Sequence, residues 1–231
     1  MDPLAGSQWS TPDTIAGFLR SPPNNVLLSV AGNEFNRLGA GRLLDIGCGA
    51  GRNAVPLATL GWDVLGTDLS WPMLLAAADR VADVGAVGGL RLVLASMDSL
   101  PVTTGSVDFI VAHGIWNLAP SGATFRRAVA EAARVAVAGA ALFVFTFSRH
   151  TLGPEAEPVP GERFVFTQFS GQPQCFLTEE ELVAELRTAG FDLEPGTSIR
   201  EYNRPQPGAL LQGKGPVIYE GVFRRRASAG P

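Results

Sequence analysis

Lysine is almost missing from this chain of 231 residues: Lys214 stands alone, and every other cationic side chain is an arginine. The single basic block, Arg224-Arg225-Arg226, reads as a solvated strand end, so the broad cationic face that suits a nucleic-acid substrate is absent. Cysteine is scarce too. Cys48 and Cys175 are too few for a disulfide scaffold and point to a reducing compartment. The longest apolar run, Val135 to Phe147, is too short to cross a bilayer and is interrupted by Gly139. The opening "MDPLAGSQWS" lacks the charged start and apolar centre of a signal peptide. With a net charge of −4, these absences predict a soluble cytoplasmic protein that engages neither nucleic acid nor membrane.

What is present is an alternation of apolar strands and helical patterns. The runs at 42–47, 63–68, 90–96, 107–113 and 140–147 are apolar throughout instead of alternating, as strands are when helices cover both faces of a parallel sheet. Between them lie helical patterns at 52–60, from Ser70 as N-cap to about Val84, and at 123–138. A capped helix is predicted in 177–191, where Thr178 and Glu181 have capping-box spacing and Gly190 ends the helix. Two antiparallel edge strands are expected near 192–202 and 216–223, separated by a Pro/Gly loop. The length suits one domain, with residues 1–40 as an N-terminal cap segment, 41–147 as the core and 148–231 as a decorated half. The Pro/Gly-rich stretch 149–176 is expected to cover the site, with Phe164, Phe166 and Phe169 lining a pocket.

The stretch "RLLDIGCGAGRNAVPLATLGWDVLGTDLS" (42–70) carries the chemistry. Gly47, Gly49 and Gly51 fall at the first strand-to-helix turn, where glycine admits positive φ and close approach of a ligand. The helix start at Arg52 offers free N–H groups to an anion. Asp68 ends the second strand, where a carboxylate can accept both hydroxyls of a ribose. A dinucleotide fingerprint needs a third glycine at the position of Arg52, and Asp45 would repel a pyrophosphate. An acid there suits a tail bearing an ammonium, as S-adenosylmethionine does.

These residues resemble the class I S-adenosylmethionine-dependent methyltransferases of small-molecule type. "LLDIGCGAGRNAVPLA", "VLGTDLSWPMLLAAA" and "ASMDSLPVTTGSVDFIVAHGIWNL" match their successive motifs, over roughly residues 40–147. The resemblance implies a Rossmann-like, doubly wound α/β fold with a seven-stranded sheet, mostly parallel with an antiparallel edge strand. It implies S-adenosylmethionine as cofactor, leaving S-adenosylhomocysteine as product. Gly47 and Gly49 would lie under the methionine tail with Asp45 near its ammonium, and Asp68 would hold the ribose. Leu69 and Met97 would pack on the adenine and Asp98 would accept from its amino group. Cys48 (a small filler), Arg52, Asn53 and Met73 fall in the same shell, and His113 would sit beside the methionine portion.

Sulfonium methyl transfer needs alignment and exclusion of water more than it needs a metal or a covalent nucleophile, and no metal site is expected. His113 and His150, the only histidines, follow strands four and five and are the candidates for a catalytic base. Trp9, Trp116, Asn117, Gln168 and Tyr202 are candidates for the walls of a small-molecule acceptor site, whereas Trp62 and Trp71 read as core. The resemblance implies methyl transfer to an oxygen, nitrogen, sulfur or other soft atom. A non-catalytic binder of the same donor and an NAD-dependent oxidoreductase are the competing readings.

Overall fold

The computed structural model describes residues 2–84, 89–204 and 215–227. Lys214 and most of the expected Pro/Gly loop before the last strand lie outside these. Two helices open the chain, α1 (Pro12–Arg20) and α2 (Asn25–Leu38). There follow β1 (Arg42–Ile46), α3 (Ala54–Thr59), β2 (Asp63–Asp68), α4 (Trp71–Val84), β3 (Leu90–Leu94) and β4 (Val107–His113). The second half holds α5 (Gly122–Val135), β5 (Ala136–Phe147), β6 (Val165–Phe166), β7 (Gln174–Cys175) and α6 (Glu179–Thr188). It ends in β8 (Phe191–Leu193), β9 (Arg200–Tyr202) and β10 (Ile218–Arg225).

The main sheet runs β3-β2-β1-β4-β5-β10-β8, with β9 also paired to β10. Strands β1 to β5 are parallel and β10 is antiparallel to its neighbours on both sides. The sheet fills the seven positions expected, but Pro195-Gly196 divides the strand after α6 into β8 and β9, which makes eight strands. The antiparallel strand lies one place in from the edge. Strand β5 starts at Ala136, directly after α5 and four residues before the expected run, because Ala136 pairs with Val107 of β4.

Alternate residues feed two cores. Leu44, Ile110 and Leu142 pack under α5 with Trp116 and Phe125, and Leu43, Phe109 and Phe143 pack under α2 and α3 with Trp62. This is why the strands read as continuously apolar. Trp62 is core as expected, whereas Trp71, on the outer face of α4, is 49% exposed. Local signals set the helix ends: Ser70 Oγ accepts from Met73 N–H, and Thr178 and Glu181 form the capping box. Chain order reverses between β1 and β4, and that reversal opens a crevice at the carboxyl ends of these strands.

Candidate functional site

A cavity of about 370 Å³ lies in that crevice. Its floor is Gly47 and Gly49 from the turn after β1, Asp68 and Leu69 from the end of β2, Ser96 and Met97 after β3, and His113 from β4. Gly47 has φ +71°, and a Cβ there would stand 2.7 Å from the Ile115 side chain, so glycine is required on two counts. Gly49 donates its N–H to Asp68 at 2.9 Å, joining the turn to the end of the second strand, and Ser70 donates to the other carboxylate oxygen at 2.8 Å.

Among the predicted cofactor residues, Gly47, Gly49, Asp68, Leu69, Met73, Met97 and His113 line the cavity, and Trp9 lines it from above. Asp45 lies beneath the glycine turn, fully buried, with Oδ2 lacking any hydrogen-bond partner. Burial pushes its carboxyl up to about 7, the charge of Asp68 acting in the same sense and Arg52 opposing. Burial likewise raises Asp68, against the backbone N–H groups that hold its charged form. Cys48 is buried against Gly66 and its thiol is pushed well above the ordinary range, again by burial. Asn53 is buried and accepts from Asn24 N–H at 3.0 Å. The Asp98 carboxylate is turned to Ser96 and Arg127, whose hydrogen bonds hold it low.

His113 is stacked on Phe145 with ring centroids 4.1 Å apart. Its Nδ1 lies 3.1 Å from Arg52 Nη2 and its Nε2 lies 3.3 Å from Asn24 Nδ2. Burial, reinforced by the charge of Arg52, lowers the imidazole to about 3, so it is neutral at any physiological pH. His150 is not a lining residue; its Nδ1 contacts Glu201 at 2.6 Å. Tyr202 donates to Glu220 at 2.8 Å, and Gln168 donates to the Glu157 carbonyl at 2.8 Å; neither lines the cavity. Trp116 and Asn117 are buried under it, with the indole N–H and the amide oxygen unpartnered.

The expected covering loop behaves differently. Phe164 and Phe166 are core residues, and Phe169 packs on Phe147 and Phe176. None of the three lines the cavity. The cavity is covered from the N-terminal cap segment, through Leu4, Trp9 and Phe18. Ser70 Oγ–H donates to Trp9 O at 3.1 Å, and Arg80 donates to Leu19 O at 2.6 Å, fastening this segment to α4. The Thr11-Pro12 start and the spacing of Ile15, Phe18 and Leu19 are a legible helix signal that sequence reading passed over.

Comparison with known proteins bears on this geometry. Residues 44–144 match the family model of a methyltransferase domain. A ubiquinone/menaquinone biosynthesis C-methyltransferase of Syntrophotalea carbinolica is 37% identical over 123 residues, which is 51% of this chain and 48% of that protein. The chain thus spans about half the length of the curated relatives it matches. Among solved structures, a SAM-dependent methyltransferase of Methanosarcina mazei superposes with a TM-score of 0.63 at 22% identity, covering 81% of this chain and 93% of the other. The 1,6-didemethyltoxoflavin-N1-methyltransferase of Burkholderia thailandensis, solved with S-adenosylhomocysteine, gives 0.63 at 18% identity, covering 88% and 80%.

Proposed function

We propose that this chain is a class I S-adenosylmethionine-dependent methyltransferase and that it transfers the methyl group of that donor to a nucleophilic atom of a small molecule; the match of residues 44–144 to a methyltransferase domain and the likeness to methyltransferases support the reading. The observation that carries the reading is Asp45: a buried carboxylate with an unpartnered oxygen, under a glycine turn whose amide is tied to a second carboxylate at the next strand end. A buried acid without a partner is costly unless a cation completes it. An α-ammonium does so, while a pyrophosphate would be repelled, which counts against a dinucleotide. The cavity volume and its Leu69 and Met97 walls suit an adenosyl group.

The bound donor supplies a methyl group already activated by its sulfonium centre. The chain's own residues then hold and align. Asp45 holds the ammonium, the turn from Gly47 to Asn53 receives the tail, and Asp68 accepts from the ribose hydroxyls. Asp98 meets the adenine amino group once it turns from Ser96 and Arg127. Leu4, Trp9, Phe18 and Ile115 exclude water from the transfer path and give the acceptor an apolar wall. Held neutral near 3, His113 is too weak a base to carry off a proton, so its part is alignment. His150, Gln168 and Tyr202 would reach substrate only from outside this cavity.

Both cysteines are free and buried, and no helix among the described residues is long and apolar enough to cross a membrane; both fit a cytoplasmic enzyme. The test is calorimetry with S-adenosylhomocysteine and with NADH, followed by turnover with a panel of phenols, quinols, amines and thiols. Micromolar binding of the first nucleoside and none of the second is expected. No binding of S-adenosylhomocysteine refutes the reading, and binding without turnover across the panel favours the non-catalytic alternative.

A further inference from the structure

His113 of β4, Phe145 of β5 and Glu220 of β10 are register partners in a row across three neighbouring strands, so their side chains share one face of the sheet. Glu220 is buried and both its oxygens are taken. Tyr202 O–H donates to Oε1 at 2.8 Å and Asn24 Nδ2–H donates to Oε2 at 2.8 Å. Asn24 joins this row to the N-terminal helices. Its N–H donates to Asn53, its carbonyl accepts from Leu28 N–H at 3.0 Å, and its Oδ1 accepts from Leu27 N–H at 3.0 Å as the N-cap of α2.

That last bond fixes which way the amide faces, since a flipped Asn24 would set its NH₂ against Leu27 N–H and its oxygen against the Glu220 carboxylate. One Nδ2 hydrogen goes to Glu220 and the other faces His113 Nε2 at 3.3 Å, while Arg52, also a donor, faces Nδ1, so a neutral ring accepts from only one of the two; with Nε2 accepting from the Glu220-held amide, the ring proton sits on Nδ1. Nδ1–H then faces Arg52 Nη2 at 3.1 Å, donor against donor. Arg52, on the turn before α3, has no lone pair to offer. An oxygen reaching into that gap would accept from both. His113 lines the cavity. The charged groups near the ring are Arg52 on one side and Glu220, behind Asn24, on the other.

We propose that Glu220 is a positioning residue: acting through Asn24, it holds His113 as a neutral Nδ1–H donor, which with Arg52 forms a fork for an anionic oxygen of the bound ligand. Sequence reading named neither Asn24 nor Glu220 for this role, and they stand 196 positions apart. The ligand half of the inference rests on the methyltransferase reading; the tautomer half does not.

Because the chain has two histidines, His150→Gln leaves one imidazole, and long-range proton–nitrogen correlation spectra report its tautomer directly. We expect Nδ1–H with no titration from pH 5 to 8. In Glu220→Ala, Asn24 is released and the Nε2–H form appears, because Nδ1 then accepts from Arg52. Glu220→Gln, which can still accept from Asn24, restores Nδ1–H. Should Glu220→Ala not fold, Asn24→Ser keeps a cap for Leu27 and removes the amide, and it gives the same switch. An Nε2–H ring in the parent, titration within that range, or an unchanged tautomer in a folded Glu220→Ala or Asn24→Ser variant overturns the assignment. For the fork, S-adenosylhomocysteine shifts the Nδ1–H signal and 5′-methylthioadenosine, which lacks the carboxylate, does not. No shift while calorimetry shows S-adenosylhomocysteine bound overturns the fork. Failure of that nucleoside to bind at all overturns the methyltransferase reading and leaves the tautomer result standing.

Discussion

Asp45→Asn separates the proposed donor chemistry from ordinary packing. A carboxyl that titrates at about 7 in the folded protein and near 3.8 in the unfolded chain binds its proton more tightly when folded. Its stabilising share is therefore complete below about 3.8 and is lost as pH rises through 7, at most about 4 kcal/mol across that window. The ligand-free protein should weaken in denaturant titrations between pH 5 and 8, and Asp45→Asn should remove that slope. Donor affinity should move the opposite way, because the ammonium is held by the ionised form. With a carboxyl near 7, about a tenth of the protein is ready at pH 6 and about nine-tenths at pH 8, so S-adenosylhomocysteine should bind roughly tenfold more tightly at the higher pH. Calorimetry at pH 7 in two buffers of different ionisation enthalpy should register about half a proton released. His113, titrating at about 3, contributes nothing in this range. Affinity within twofold between pH 6 and 8, or a pH slope that survives in Asp45→Asn, would refute the reasoning.

Asp68→Ala strips two backbone amides of their acceptor; if Asp68 holds the ribose as proposed, S-adenosylhomocysteine affinity should fall more than about tenfold by calorimetry, and an unchanged value would mean the ribose lies elsewhere. Gly47→Ala must hold a Cβ at φ +71° and against Ile115. It should cost about 1–3 kcal/mol and abolish donor binding, whereas a wild-type melting temperature would contradict the geometry. Glu34 is held at about 2 by its hydrogen bonds to Arg224, so its share of stability is present above about 4.5 and is lost as pH falls toward 2. Glu34→Gln should flatten that acid limb and cost about 1–3 kcal/mol at pH 7 in urea titrations.

The glycine-turn side of the cavity was legible because its signals are local. Asp45, Gly47, Gly49 and Asp68 sit at strand ends that apolar runs mark out, and the register then sets β2 beside β1 whatever the rest of the chain does. Caps at Ser70 and Thr178 needed only three or four residues of context. Pro195-Gly196 was equally local, yet a strand expected to run through it had to break there. The partnership of Asn24 with Glu220 gives no such signal, because nothing in the composition around either residue says that β10 brings them together.

Residues 149–176 were expected to cover the site beside the N-terminal cap segment, yet none of them lines the cavity, for a related reason. Proline and glycine in 149–176 mark irregular backbone correctly, but irregular backbone does not reveal what lies beneath it. Here the loop packs its aromatic residues on one another: Phe166 and Phe176 are buried, the half-exposed Phe169 meets Phe176 edge-on, Phe147 of β5 stacks on Phe176, and the Arg149 guanidinium lies 4.7 Å from the Phe166 ring centre. It is consequently a core element of its own side of the molecule. The N-terminal helices lack that self-sufficiency. α1 has no buried residue, and its Phe18 meets Trp9 edge-on while α4 holds the segment through Arg80 and Ser70. A segment with so few apolar contacts of its own opens at low cost. The proposed reaction has to admit a donor and then exclude water, and a cover of that kind suits it, which favours residues 2–20 over 149–176 for that part of the proposal.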